Sequence, residues 1–459
     1  MYAHMHRFLL ANKVFPQQNL ASTQHRGPTK GNSFAMSQLE SGGLRPGTPP
    51  HHPIFGIKLP ISHIEAIFAA IYPHRKLLSV SQLPSGNSFN NRIYFLSVAR
   101  STTSPLELVL KVNGRFFGSD KIQNEVSSLR ILEQYCPDLP VPRIIAWSEI
   151  GHTITMPSSD EDYGTCQQVP IPIEEVGYPG WILMTRVPGE PISSLTLDAP
   201  AMTSLGTQLA DMVASWRRKI PHTSNCGNLL FSSSSLADPV DIDLAHEDAR
   251  PSGPIDAFIV RGLLGDGIPP GNPISSTLDL YRIRLQHKVH ELSQNDIYAP
   301  NRDLAPEISD LITKNTLPKL FPAGPDSDSF IFTHFDLSPR NTLVSSHGNH
   351  PPKITGLIDF EFSGFFPPSD EFVNDYVDNG GDWPEEIYAA YLSRLEELEM
   401  PTPRKGMPER VWMVQHRLGV LMDNIAPWWL PGGFDEEEVE GKLRECREVV
   451  RITLKELGA

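Results

Sequence analysis

The densest run of reactive side chains lies between Phe332 and Val344, in Phe-Thr-His-Phe-Asp-Leu-Ser-Pro-Arg-Asn-Thr-Leu-Val. It sets His334, Asp336 and Asn341 at the spacing H-x-D-x-x-x-x-N. A second run, Lys353-Ile-Thr-Gly-Leu-Ile-Asp-Phe-Glu361, is apolar until it ends on Asp359. Asn341–Ser345 reads as a short strand, His347–Pro352 as a turn and Ile354–Ile358 as the returning strand. A hairpin of that length carries Asp359 back beside Asn341. One carboxylate and one amide oxygen can hold magnesium without filling its shell, which prefers hard oxygens and keeps places for phosphate and water. Asp336, separate from the metal, can then orient and deprotonate an attacking hydroxyl. That combination is what phosphoryl transfer needs. A lone H-x-D means nothing; two carboxylates and an Asn, each on the right loop or strand, are much rarer.

These segments resemble the aminoglycoside phosphotransferase and choline kinase superfamily, whose fold is protein-kinase-like. In that family the metal aspartate is followed by an aromatic residue and Glu. Asp359-Phe360-Glu361 has this form rather than D-F-G, and Ser338-Pro339 inside the loop is also similar to the family. The resemblance implies ATP and Mg2+ as cofactors, Asp336 as the catalytic base, and Asn341 and Asp359 as magnesium ligands. It puts His334 in the catalytic loop as a brace rather than a proton carrier, because a histidine needs a specific partner before it acts as acid or base.

The same resemblance organises the residues upstream. Leu108-Val-Leu-Lys-Val112 puts Lys111 inside an apolar strand, which is costly unless the lysine is paired. Glu125, beside the apolar stripe of the next helix, is the partner that the resemblance implies. Pro84–Asn91, with Gly86, Asn87 and Ser88, is the candidate loop over the phosphates, its backbone N–H groups capping them. No G-x-G-x-x-G is present, a motif from which the family usually departs, and an ordinary hairpin loop reads almost as well there. Trp181–Gly189 resembles the strand leading to the hinge, where the main chain around Met184, Arg186 and Val187 would meet the adenine.

The elements that must position these groups change character along the chain. Ile64, Ile67, Phe68 and Ile71 have helical spacing, and strand patterns follow at Leu77–Leu83, Arg92–Val98, Glu107–Val112, Arg143–Trp147 and Trp181–Arg186. One helix interrupts them near Asp120–Tyr135, and 151–179 reads as a polar insertion. Beyond Val187 the periodicity is helical, near 202–216, 278–292, 385–399, 408–425 and 434–457, while 220–275 is loop-rich with no role assigned. The expected fold class is therefore α+β and bilobal, with a β-rich N-terminal lobe over 61–187, a mostly helical C-terminal lobe over 188–459, and an extension over 1–60. A cleft between lobes is the expected site.

The chain has 459 residues, too many for one core and suited to two packed lobes. Its formal net charge of −15 argues against nucleic-acid and anionic-membrane partners, and no apolar run is long enough to span a bilayer. The four cysteines have neither metal-ligand nor disulfide-framework spacing, which fits a reducing compartment. Cytoplasm is the expected location. The acid-free stretch before Glu40 loosely resembles a mitochondrial presequence, and Met36 offers an alternative start. The expected partner is a hydroxylated small molecule, with a cationic one suggested by Asp370, Glu371, Asp375, Asp378 and Asp382; a solvated loop is the plainer reading of those acids. Trp428 and Trp429 are candidates for stacking on substrate or for packing. The main alternative is a catalytically weak kinase-fold binding protein. A hydrolase using Asp336 and Asp359 on metal would need further ligands at set spacing, and the sequence has none.

Overall fold

Apolar residues on alternate positions build the N-terminal half. Strands β1 (Leu77–Gln82), β2 (Asn91–Val98), β3 (Leu106–Asn113), β4 (Ile144–Ser148), β5 (Thr153–Pro157), β6 (Cys166–Pro170) and β7 (Trp181–Thr185) form one antiparallel sheet in the order β1-β2-β3-β7-β4-β5-β6. The computed structural model describes residues 53–458 except 85–87, 101–103, 116, 158–165, 172–178, 232–257, 261, 269–270, 272–273, 315, 322–328, 346–350, 375–382, 428–429 and 431–435.

The two faces of β3 explain where Lys111 goes. Leu108, Leu110 and Val112 share a core with Ile64, Ile67 and Phe68 of helix α1 (Ile61–Ile71). Alternation turns Val109 and Lys111 to the opposite face, where α2 (Ser119–Tyr135) packs Ile122, Val126 and Leu129. Register pairs Lys111 with Ile93 on one side and Ile182 on the other, so the lysine sits in the middle of the sheet.

The C-terminal half is helical, and its first helix shows why. In α3 (Ala199–Lys219) the Asp198 side chain caps the Ala201 N–H at 2.9 Å, and Arg217, Arg218 and Lys219 occupy the last turn, where cations suit the helix dipole. Leu205, Leu209, Val213 and Trp216 are buried on one stripe. The helices that follow are α4 (Thr277–Gln294), α5 (Ala305–Thr313), α6 (Thr316–Leu320), α7 (Asp370–Asn374), α8 (Glu385–Glu397), α9 (Glu409–Ile425) and α10 (Glu436–Leu457). Helix α3 meets α8 at Gly206, where any Cβ would lie 2.4 Å from the Ile387 carbonyl oxygen; only glycine allows that approach. A second core joins α4, α9 and α10 through Leu285, Leu418, Leu421, Leu443 and Val450. Among the described residues no helix is long and apolar enough to cross a membrane.

Two small sheets carry the chemistry between these helices. One has the order β13-β12-β8, from Lys353–Leu357, Thr342–Ser345 and Glu190–Pro191. The other has the order β10-β9-β14-β11, from Phe258–Val260, Gly227–Phe231, Gly364–Phe366 and Ile331–Thr333. The fold is thus α+β and bilobal, a β-rich N-terminal half followed by a mostly helical one.

Three expectations change. Folded structure begins before residue 61: Ile54 and Leu59 are buried, and the Pro53 carbonyl accepts from the Arg115 N–H at 3.0 Å. Residues 1–52, with Glu40 and Met36, lie outside the described residues. The stretch 151–179 is no plain insertion, since β5 and β6 extend the main sheet. The loop-rich 220–275 supplies β9 and β10, held by pairing of β9 with β14 rather than by local pattern.

Candidate active site

Strand β11 delivers the chain to His334, and the next residue turns it sharply. Phe335 has φ 70°, a left-handed conformation that costs a bulky residue about 1–3 kcal/mol. Its ring packs at a tilt against Phe366 with centroids 4.6 Å apart, and the Arg284 guanidinium lies 5.5 Å from the ring centre. These contacts hold the strained turn. His334 is fully buried, and its Nδ1 accepts from the Asp336 N–H at 3.3 Å. Nε2 therefore carries the proton and donates to the Ile358 carbonyl at 3.1 Å. Burial lowers the imidazole pKa to about 4, against the pull of the Ile358 carbonyl, so the ring is neutral at pH 7. His334 thus ties the loop to the hairpin through both ring nitrogens.

The hairpin closes where the spacing predicted. Ile358 donates its N–H to the Asn341 carbonyl at 3.0 Å, and β12 pairs with β13 from Thr342–Leu357 to Ser345–Lys353. Of the expected turn at 347–352, only Pro351 and Pro352 are among the described residues. Asn341 donates Nδ2 to the Asp336 carbonyl at 2.9 Å and to Asp336 Oδ2 at 3.0 Å, leaving Oδ1 for another partner. Arg340 grips the same carboxylate at 2.9 and 3.2 Å. Burial raises the Asp336 pKa to about 7; Arg340 opposes the rise and Asp359 adds to it. A carboxylate poised near neutrality can take a proton from a hydroxyl.

Asp359 also sits at positive φ, 71°, and about a third of its side chain is exposed. Its Oδ1 lies 2.5 Å from Lys111 Nζ. The same ammonium meets Glu125 Oε2 at 2.6 Å and Glu361 Oε2 at 3.0 Å. Burial alone would discharge Lys111, but Asp359, Glu125 and Glu361 outweigh it and hold the pKa well above the lysine norm. Burial raises the Glu125 pKa to about 7 despite Lys111. Burial acts the same way on Glu361, yet Lys111, Lys121 and the Asn91 amide prevail and hold it well below the carboxylate range. Lys121, 3.3 Å from Glu361, is lowered by burial although Glu361 pulls it up.

Three carboxylates thus surround two ammonium groups. Glu125, Asp359 and Glu361 have oxygens within 4.8 Å of one another, a grouping able to hold a metal, but Lys111 already sits among them. Two hard oxygen donors of the kind magnesium prefers are the Asp359 carboxylate, about a third exposed, and the Oδ1 of buried Asn341.

The remaining candidates are scattered. Gly86 and Asn87 lie outside the described residues; Ser88 is half-buried just before β2. Met184 is buried with its backbone in the sheet, between Val109 and Ile144. Arg186 is not brought to the cluster: its guanidinium lies 4.5 Å from the Phe95 ring centre and 3.6 Å from Glu107, and its N–H donates to the Glu107 carbonyl at 3.1 Å. A side chain leaving the end of a strand finds its neighbours on that sheet. Asp370 and Glu371 are neither solvated nor open to a substrate cation. Asp370 accepts from Arg284 and from the Tyr281 hydroxyl, each at 3.0 Å, and Glu371 accepts from Arg217 at 3.0 Å. Asp375, Asp378, Asp382, Trp428 and Trp429 lie outside the described residues.

Sequence reasoning missed three participants. Glu361 stood in a motif with no partner, because Asn90 and Asn91 are about 270 positions away. Lys121 and Arg340 were assigned no role, although the four-residue spacing of Arg340 from Asp336 was a usable signal.

The sequence from 79 to 408 matches the model of the phosphotransferase enzyme family. Curated proteins give no match. Solved structures of similar shape include aminoglycoside phosphotransferase APH(2'')-Ib with ADP bound (14% identity, TM-score 0.48, 86% of this chain and 99% of that one). Another is the gentamicin complex of APH(2")-IIa (14%, 0.44, 87% and 96%). A third is macrolide 2'-phosphotransferase MphH from Brachybacterium faecium (15%, 0.42, 83% and 96%).

Proposed function

The chain belongs to the phosphotransferase enzyme family, and from that premise we propose that it moves the γ-phosphate of ATP to a hydroxyl of a small molecule. The single observation that carries this reading is the convergence of Asp336, Asn341, Asp359 and Lys111 from four separate chain positions. Asp336 takes the proton from the acceptor hydroxyl as the new oxygen–phosphorus bond forms and the bond to ADP breaks. Asn341 and Asp359 would hold magnesium, which when bound would neutralise phosphate charge. Lys111, oriented by Glu125, binds the donor phosphates. Positioning and electrostatics do nearly all the work, as phosphoryl transfer requires.

The loop at 86–88 covers the phosphates in this reading, and the main chain following Met184 meets the adenine. Arg186 offers neither its N–H nor its guanidinium there, since both are engaged elsewhere. What favours catalysis over binding alone is the carboxyl of Asp336, whose raised pKa of about 7 suits a base. The acceptor is a hydroxylated small molecule, and the protein acts in the cytoplasm. The test is ADP release by the purified protein across a library of hydroxylated metabolites. Turnover with at least one of them is expected; ATP binding with no turnover on any would sink the catalytic reading.

A further inference from the structure

Glu361 belongs to the C-terminal lobe, two residues past Asp359, yet every donor to it comes from the N-terminal lobe. Its Oε1 accepts from Asn90 Nδ2 at 2.8 Å. Its Oε2 accepts from Asn91 Nδ2 at 2.6 Å and faces Lys111 Nζ at 3.0 Å and Lys121 Nζ at 3.3 Å. Its main-chain oxygen accepts from Asn124 Nδ2 at 2.8 Å, and Asn124 Oδ1 in turn accepts from the Leu229 N–H at 2.7 Å. The side chain is 1% exposed. A carboxylate offers about four lone-pair sites, and four donors meet this one.

The donors sit on the N-terminal elements assigned to the phosphates. Asn90 and Asn91 end the candidate phosphate loop and begin β2; Lys111 lies on β3; Lys121 and Asn124 lie on α2. The loop end is pinned twice more, by Lys121 Nζ on the Asn90 carbonyl at 3.3 Å and by the Gly114 N–H on the same oxygen at 3.0 Å. Only glycine fits at 114, because a Cβ would come within 2.4 Å of that oxygen.

We propose that Glu361 is an interlobe positioning residue: its buried carboxylate sets the phosphate loop, Lys111 and α2 in register with Asp359, touching neither nucleotide nor metal. The inference rests on the kinase reading above. It assigns Glu361 away from the metal, although its oxygen lies close to those of Glu125 and Asp359. Losing one charged anchor of this kind weakens nucleotide binding about tenfold.

The experiment is calorimetric titration of the full chain with AMP-PNP, with and without Mg2+, for wild type and Glu361→Gln. A positioning residue lowers affinity about tenfold by the same factor in both conditions. A loss confined to the Mg2+ titration would make Glu361 a metal ligand and overturn the proposal, and so would unchanged affinity. A residue that merely stabilises the fold would lower the melting temperature but leave the affinity of the folded protein intact, which also overturns it. Asn90→Ala, which removes the Oε1 contact from the loop side, is expected to give a smaller loss, again independent of Mg2+. It decides the matter if Glu361→Gln does not fold. Wild type that binds no AMP-PNP removes the kinase reading as well; wild type that binds beside unaffected variants removes only this inference.

Discussion

Asp336 and Glu371 each hold an arginine, and the two pairs are opposites. Arg217 and Glu371 are almost completely enclosed, with side chains 4% and 0% exposed. The Arg217 Nε–Glu371 Oε2 contact is 3.0 Å, the guanidinium lies 5.2 Å from the Phe372 ring centre, and the Tyr391 hydroxyl reaches the other carboxylate oxygen at 3.3 Å. Arg340, by contrast, is 55% exposed and sits over a carboxylate whose other support is the Asn341 amide. Both acids lie in segments that read as reactive from sequence. What separates them is whether the partner is locked by packing: Glu371 is part of the architecture, while Asp336 keeps a side that a solvent-facing cation can vacate.

The strongest way to break this contrast is to neutralise each acid in turn. Asp336→Asn is expected to lower turnover about 10³-fold with ATP binding retained, the usual contribution of a general base. Steady-state ADP release and a binding titration measure it; a variant that keeps a tenth of its turnover would remove Asp336 from the base role. Glu371→Gln is expected to act on stability instead. It leaves a buried guanidinium uncompensated, which costs about 3–5 kcal/mol. Urea unfolding reads that loss, and turnover per folded molecule should stay within about twofold by the same reasoning about distant, independent sites. A Glu371 variant that is stable but inactive would erase the distinction between the two regions.

The legibility of this molecule follows the same division. His334, Asp336, Asn341 and Asp359 could be placed from sequence because one loop and one hairpin fix their separations, as the Ile358–Asn341 hydrogen bond shows. Lys111 was legible because a lysine in an apolar strand needs a partner, and Glu125 stands 2.6 Å away. Glu361 and Lys121 were not legible, since their meeting depends on how one lobe sits on the other. Asp370 and Glu371 misled because buried ion pairs and solvated acids look alike in a string of letters. Strands β9 and β10 were hidden for a related reason: their edges are defined by pairing with each other and with β14, not by a local period.

Between these extremes lies the pH dependence, which sharpens what being poised means. With the Asp336 pKa raised to about 7, activity should climb about tenfold per pH unit on the acid side and level off above about pH 7. Stability should run the other way. The folded state holds the Asp336 proton from the ordinary carboxylate pKa up to about 7, while the unfolded chain has lost it, so this group makes folding less favourable as pH rises through that window. Asp336→Asn removes the effect, so the variant should gain in melting temperature relative to wild type between about pH 4 and pH 7. Parallel melting curves across that range would mean that the carboxyl ionises normally.

Arg340→Ala gives the smallest of these effects and tests the contrast where it is finest. Arg340 pulls the Asp336 pKa down against burial, so its removal should let that pKa rise and move the acid limb of the activity profile toward alkaline pH. The guanidinium is more than half exposed and screened by water. Exposed pairs are worth about 0.2–1 kcal/mol, which translates to a displacement of about half a pH unit. Turnover should therefore fall about threefold at pH 6.5 and change much less at pH 9, with stability almost untouched. Salt should reproduce part of the same displacement in wild type, because screening weakens an exposed pair and leaves an enclosed one alone. A loss of stability comparable with that of Glu371→Gln would place Arg340 among the architectural arginines after all, and an acid-ward displacement would reverse the sign of its action on Asp336.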